Sequence, residues 1–213
     1  MKLEAILFDF DGVIGVTGDD TYSAWHKTLL PFGVNLDREE YFLAEGRSSE
    51  EQLDILAKKY NLPKSDFSKI LESKDRIYKE NNSFRIYEGV LDLLSWARSN
   101  EIKTAIVSGG SKKRLQGPEY LAITSRFDLI ITAQDTDARK PSPEPYLLAA
   151  KRLNINTTNC VVIENAPLGI ESATAANIKC IAVSTTLRPA LLSQANYVVK
   201  DLVAAKKILE NIY

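Results

Sequence analysis

The chain carries one histidine, one methionine and two cysteines among 213 residues, and it has no apolar run long enough to cross a bilayer. The single histidine, His26, follows Trp25 in an amphipathic segment, where packing or a surface position suits it better than catalysis. Cys160 and Cys180 lie inside apolar runs, far from any metal-ligand spacing, and read as reduced core thiols rather than a disulfide. A surplus of one charge sign is also missing, with 27 Lys plus Arg against 28 Asp plus Glu. Such a balance offers no field to draw the chain to nucleic acid or anionic lipid, so small-molecule chemistry is favoured. The opening Met1-Lys2-Leu3-Glu4-Ala5 lacks the form of a signal peptide, and a cytoplasmic location is expected. Repeats, low-complexity tracts and Pro/Gly-rich linkers are absent as well, so any inserted segment should be tied closely to the main domain.

What the sequence does have is a series of short, continuously apolar runs: Ala5 to Phe8, Thr104 to Val107, Leu129 to Ile131, Cys160 to Ile163 and Cys180 to Val183. Runs of this length without alternation are the signature of strands buried on both faces of a parallel sheet. Helix-length amphipathic segments separate them, including Gly89 to Arg98, Glu144 to Leu153 and Leu168 to Ala176, with Val203 to Asn211 last. The alternation predicts an α/β fold with a doubly wound parallel sheet. From about Gly18 to Phe84 no run reads as a buried strand. Tyr22 to Leu30, Ser49 to Tyr60 and Asp66 to Glu80 there show helical spacing, and Ser48 with Glu51 has the form of a capping box. A helical insert after the first strand is expected, with Glu88-Gly89 as a hinge-like return.

In open α/β sheets ligands bind beyond the carboxyl ends of the strands. The first run ends in Asp9-Phe10-Asp11-Gly12, the second in Ser108-Gly109-Gly110-Ser111 and the fourth in Glu164-Asn165, while Arg139-Lys140-Pro141 precedes the helix near Glu144. Taken singly, these are a turn, a helix cap, a solvated charge and a loop. Their shared position at one sheet edge points instead to a site. Asp9 and Asp11, two apart, point the same way on an extended segment and with Glu164 would crowd negative charge. A hard divalent ion such as magnesium would relieve that crowding. Ser108 and the amides of Gly109 and Gly110 suit an anion, and Lys140 adds positive charge for a phosphoryl group. The cluster Ser111-Lys112-Lys113-Arg114 offers charge for an anionic substrate but reads rather as a solvated helix start, and Trp25, Phe32 and Trp96 as packing residues.

These motifs resemble those of the haloacid dehalogenase superfamily, in the branch that holds β-phosphoglucomutase and related sugar-phosphate phosphatases. Asp9-Phe10-Asp11-Gly12-Val13 resembles its first motif, Val107-Ser108-Gly109 its second, Lys140-Pro141 its third, and Val162 through Ile170 its fourth. The resemblance implies a Rossmann-like core, residues 1–16 and 85–213, with a helical cap over 17–84. It implies a magnesium-dependent phosphatase acting on a small phosphorylated metabolite, with Asp9 as nucleophile and Asp11 as general acid and base. Ser108 and Lys140 would hold the transferring group. Magnesium would rest on Asp9, the main-chain carbonyl of Asp11 and Asn165, with Glu164 beside them. Asn165 departs from the family's usual aspartate and implies weaker magnesium affinity. A mutase of the same branch would carry a histidine near Thr21 and an arginine near Ser49, and this chain has neither, although Lys74 matches a cap lysine of that group and Arg47 could substitute. A phosphosugar mutase and a phosphate-binding protein without catalysis stay open as alternatives. Neither nucleic acid nor membrane is expected as a partner, and the expected state is a monomer or small homo-oligomer.

Overall fold

Each of the five apolar runs becomes a strand in the computed structural model, which describes residues 2–81 and 84–212. The strands are β1 (Ala5–Phe8), β2 (Lys103–Val107), β3 (Leu129–Ile131), β4 (Cys160–Glu164) and β5 (Lys179–Val183), joined by β6 (Tyr197–Val199). The sequence pattern missed β6 because it is three residues long, half-buried and at the sheet edge, where no continuous apolar run is required. All six pair in parallel, in the order β3-β2-β1-β4-β5-β6. The helices are α1 (Gly18–Leu29), α2 (Arg38–Leu43), α3 (Ser49–Tyr60), α4 (Phe67–Asn81), α5 (Val90–Ser99), α6 (Lys112–Leu115), α7 (Pro118–Thr124), α8 (Glu144–Leu153), α9 (Pro167–Ala175) and α10 (Leu202–Ile212).

The pleat sorts the apolar side chains into two cores. Ala5, Leu7, Val107, Val162 and Ala182 face one way, packing with Tyr146 and Ala149 of α8 and Ile170 and Ala173 of α9. Ile6, Phe8, Ile106, Ile163 and Val183 face the other way, against Val90 and Leu93 of α5, Tyr120 of α7 and Leu209 of α10. Helices on both faces make the sheet doubly wound, as the unbroken apolar runs required. Each Ile, Leu or Val removed from water in this way contributes about 1.5–3 kcal/mol.

Helices α1 to α4 lie between β1 and α5, and among the described residues they contain no strand. Trp25 and Leu29 of α1 pack with Ile70 of α4. The capping box forms at α3: Ser48 Oγ accepts from the Glu51 amide at 3.2 Å, and Glu51 Oε2 accepts from the Ser48 amide at 2.9 Å. Helix α2 has only six residues, too few for a periodic pattern to show, but Asp37 caps it by accepting from the Glu40 amide at 2.9 Å. The chain leaves and re-enters the sheet region through paired connections. Val16 N–H donates to Arg85 O at 2.8 Å and Tyr87 N–H to Ile14 O at 3.0 Å. The return therefore begins at Arg85, ahead of Glu88-Gly89. Met1, Asn82, Ser83 and Tyr213, which the expected core and cap spans include, lie outside the described residues. No helix among the described residues is long and apolar enough to cross a membrane.

Candidate active site

Strand register brings the polar residues together. Phe8 pairs with Ile106 of β2 and Ile163 of β4, so Asp9 emerges level with Val107 and Glu164. Its amide continues the ladder, donating to Ile163 O at 3.0 Å. Beyond Asp9 the chain turns tightly, with the amides of Ile14 and Gly15 donating to Phe10 O at 2.9 and 2.8 Å. Gly12 sits in that turn at φ +78°, and a Cβ there would overlap the Asn165 side chain.

Lys140 comes from the loop after β3 and lies between the two buried carboxylates. Its Nζ donates to Asp9 Oδ1 and Glu164 Oε1, both at 2.6 Å, and to Val107 O at 3.0 Å. Burial alone would favour loss of its proton, but the charges of Asp9 and Glu164 outweigh this and hold it cationic. Part of the compensation that the sequence assigned to a metal is thus supplied by this lysine. Burial also pushes the Asp9 carboxyl up, to about 8, with Lys140 opposing and Glu164 and Asp11 adding to the push.

Glu164, expected beside the metal, is held by four hydrogen bonds. Its Oε1 accepts from Lys140 and from Tyr146 Oη at 2.8 Å, while Oε2 accepts from the amides of Asn165 and Ala166 at 2.9 and 3.3 Å. With both oxygens engaged, it anchors Lys140. Helix α9 comes so close that a Cβ on Gly169 would overlap this carboxylate.

Asn165 is fully buried, and its Nδ2 donates to Glu45 Oε2 at 2.7 Å and Thr186 Oγ1 at 3.0 Å. Those two bonds fix the amide orientation and leave Oδ1 buried with no hydrogen-bond partner among the described residues. An orphaned buried amide oxygen at the sheet edge where Asp9 also leaves its strand suits a hard cation. Among the described residues no three His, Cys, Asp or Glu side chains converge as a metal cage. A magnesium ion held by one carboxylate, an amide oxygen, a main-chain carbonyl and waters needs none.

Asp11 meets a residue that the sequence reading placed elsewhere. Arg114 Nη1 donates to Asp11 Oδ2 at 2.9 Å, and Nη2 and Thr17 Oγ1 both donate to Asp11 Oδ1. Arg114 is not part of a solvated helix start, although Ser111 caps α6 as expected by accepting from the Arg114 amide at 3.2 Å. The guanidinium turns inward beside the rings of Tyr120, Tyr78 and Phe10, at 5.4, 5.7 and 5.8 Å from their centroids. Burial would raise the Asp11 carboxyl, but Arg114 and Thr17 outweigh it and hold the group below the ordinary value.

Ser108 lies at the end of β2, its amide donating to Ile131 O at 3.0 Å. Its Oγ accepts from the Gly110 amide at 3.0 Å, so that amide, expected to face an anion, is already engaged. The helix that follows, α6, is four residues long and brings little dipole. A Cβ on Gly109 would stand 2.6 Å from Gly46 O, which shows how closely the loop after α2 settles on the sheet edge. That loop carries Glu45, whose carboxyl is pushed well up by burial and by the charges of Asp11 and Asp9. Asp9, Asp11, Ser108, Gly109, Gly110, Arg47, Lys74, Glu45 and Arg114 all line one cavity of about 1010 Å³. Lys74 is buried, donating to Ser49 Oγ at 2.9 Å and Asp75 Oδ1 at 3.1 Å, and Arg47 donates weakly to Ala44 O at 3.4 Å. Glu45, Thr17, Tyr146 and Thr186 were missed because their partners are distant in sequence, and Arg114 reads in the sequence as solvated rather than as a partner of Asp11. Only the inconsistent neighbourhood of Arg114, a basic run against the aromatic Tyr120, offered a hint.

The haloacid dehalogenase-like hydrolase family matches residues 6–183 of the chain. The chain is 29% identical over 183 residues to a phosphorylated carbohydrates phosphatase of Thermotoga maritima, covering 84% of each. It is 31% identical over 200 residues to the protein SUPPRESSOR OF QUENCHING 1, chloroplastic, of Arabidopsis thaliana, where the match takes in 91% of this chain but spans 19% of that protein's length. Among solved structures, β-phosphoglucomutase from Clostridium difficile is similar at a TM-score of 0.79 and 30% identity, covering 99% of this chain and 100% of that one. The family match runs from β1 to β5 and includes the strand ends that carry Asp9, Ser108 and Glu164, so the chain belongs to the haloacid dehalogenase-like hydrolase family.

Proposed function

We propose that the chain is a magnesium-dependent phosphatase that hydrolyses a small phosphorylated metabolite through an aspartyl-phosphate on Asp9. One observation carries the reading. Asp9 is fixed by Lys140 through Oδ1 alone, in a cavity that Asp11 also lines, so one oxygen is positioned and one is available. In this mechanism Asp9 Oδ2 attacks phosphorus while the ester oxygen leaves and takes a proton from Asp11, which can carry that proton only once Arg114 no longer holds it as a carboxylate. Asp11 then removes a proton from the water that attacks the aspartyl-phosphate, releasing phosphate and restoring Asp9. Lys140 keeps Asp9 oriented, and Ser108 contacts the transferring group from the β2 end. Magnesium would be held by the Asp9 carboxylate, Asn165 Oδ1 and the main-chain carbonyl of Asp11, and it would supply charge neutralisation on the phosphoryl oxygens. Residues 17–84 act as the cap, presenting Arg47 and Lys74 to the remainder of the substrate.

The relatives' names support phosphate-ester chemistry, as does an acid at position 11, which protonates an alcohol oxygen. Thr21 and Ser49, where the mutase resemblance places a histidine and an arginine, favour hydrolysis over phosphosugar isomerisation. The test is phosphate release from a panel of phosphorylated metabolites with magnesium, with chelator, and with the Asp9→Asn variant. Release that stops with chelator and with the variant supports the reading. Isomerisation that requires a bisphosphate primer supports the mutase, and binding without turnover supports the non-catalytic alternative.

A further inference from the structure

Both oxygens of Asp11 are occupied. Arg114 takes Oδ2 at 2.9 Å, and Arg114 and Thr17 share Oδ1. A leaving-group oxygen can exchange a proton with Asp11 only from within hydrogen-bond reach, roughly 2.6–3.2 Å. The guanidinium fills that position, so on the phosphatase reading above it must leave Asp11 before an ester can react.

The rest of its surroundings permit the move. Arg114 sits on the four-residue α6; among the described residues its only other guanidinium hydrogen bond is a long one of 3.5 Å to Tyr78 Oη, and its Nε is buried without a partner. It lines the same cavity as Asp9, Asp11 and Lys113. A bidentate guanidinium–carboxylate pair is given up readily only for an anion that offers the same geometry. A neutral alcohol group offers nothing in return. A carboxylate or second phosphate a few bonds from the ester oxygen does.

We propose that Arg114 determines specificity by exchanging Asp11 for a second anionic group on the substrate, so that the preferred substrates are phosphate esters whose alcohol portion is itself a carboxylate or a phosphate. The proposal rests on the phosphatase reading for its chemistry but not for its recognition step. Esters lacking the second anion leave Arg114 on Asp11 and react slowly.

The test uses three matched esters: hydroxyethyl phosphate, the phosphate ester of glycolic acid, and ethylene glycol bisphosphate. Wild type should favour the two anionic esters over the neutral one by on the order of a hundredfold in kcat/KM, the upper end of what a hydrogen bond to a charged group contributes. Whichever anionic ester is faster identifies the carboxylate or phosphate source. Arg114→Met keeps the side-chain bulk between the three rings, and it should lower turnover of the anionic esters, raise that of the neutral one, and bring the ratio to within a few-fold. Arg114→Lys, which keeps the charge but not the fork, should fall between. Calorimetric binding to the Asp9→Asn variant with and without Arg114→Met separates recognition from turnover. Weaker binding of the anionic esters alone supports the proposal even if no ester is hydrolysed, a result that would sink only the phosphatase reading. Equal wild-type rates on all three esters, or equal loss on all three in Arg114→Met, would overturn the proposal and leave the phosphatase reading standing.

Discussion

Asn165, at the end of β4, donates its amide to Glu45 of the loop after α2 at 2.7 Å, joining residues 120 positions apart. The contact changes what an aspartate at 165 would do. On the sequence alone, Asn165→Asp restores a charged ligand and tightens magnesium binding. With Glu45 in place it sets two buried carboxylates against each other, a clash of like charges. Asn165→Asp is expected to lose about 1–3 kcal/mol of stability without metal, following the cost of a buried group left unpaired. Pairing it with Glu45→Gln should recover the loss and bind magnesium more tightly than wild type, both read by calorimetry. Identical stability and magnesium affinity in the single and double variants would show that the contact carries no energy.

Lys140→Met should be severe. It leaves Asp9 and Glu164 buried without their shared cation, at a cost of about 3–5 kcal/mol. Activity should fall by on the order of 10³ or more as the nucleophile loses its orientation and charge support. Urea unfolding and steady-state rates measure the two effects, and an active variant of undiminished stability would contradict the assignment.

Gly169→Ala tests the backing of that pair. The new methyl would overlap the Glu164 carboxylate, forcing a shift that costs about 1–3 kcal/mol as overpacking does. Thermal unfolding should register the loss. A Tm equal to that of wild type would mean that α9 yields freely.

The family resemblance and the apolar runs made the sheet and its site-bearing edge legible in the sequence, because a strand buried on both faces cannot hide its composition. Asp9, Ser108 and Lys140 were legible for the same reason, each standing one residue past a strand or beside a proline that marks the next element, and Asp11 follows Asp9 by two. The partners of those residues were not. Arg114 belongs to a basic run that looks solvated until folding brings α6 over Phe10, and Glu45 is one acid among several in a helical segment. The four hydrogen bonds of Glu164 were not legible either, since its place in a motif says nothing of Tyr146 or of the amides that hold it.

Asp128 gives a pH signature away from the site. Burial would raise its carboxyl, but the Thr104 amide at 2.9 Å, together with Lys103 and the Thr104 hydroxyl, holds it below 3.8. A carboxyl depressed in the fold adds stability that is present above its unfolded value and lost as pH falls through the folded one. Wild type should therefore exceed Asp128→Asn in Tm at neutral pH, and the gap should close as pH drops below 3.8. A gap that widens in acid would reverse the sign and refute the assignment.

The most direct measurement of the central claim is acid quench of the enzyme during turnover of a phosphate ester, followed by peptide mass analysis. A phosphoryl adduct on Asp9 that forms with substrate and magnesium, decays on chase, and is absent from Asp9→Asn is the predicted result. An adduct on another side chain, or full turnover by Asp9→Asn, would contradict it.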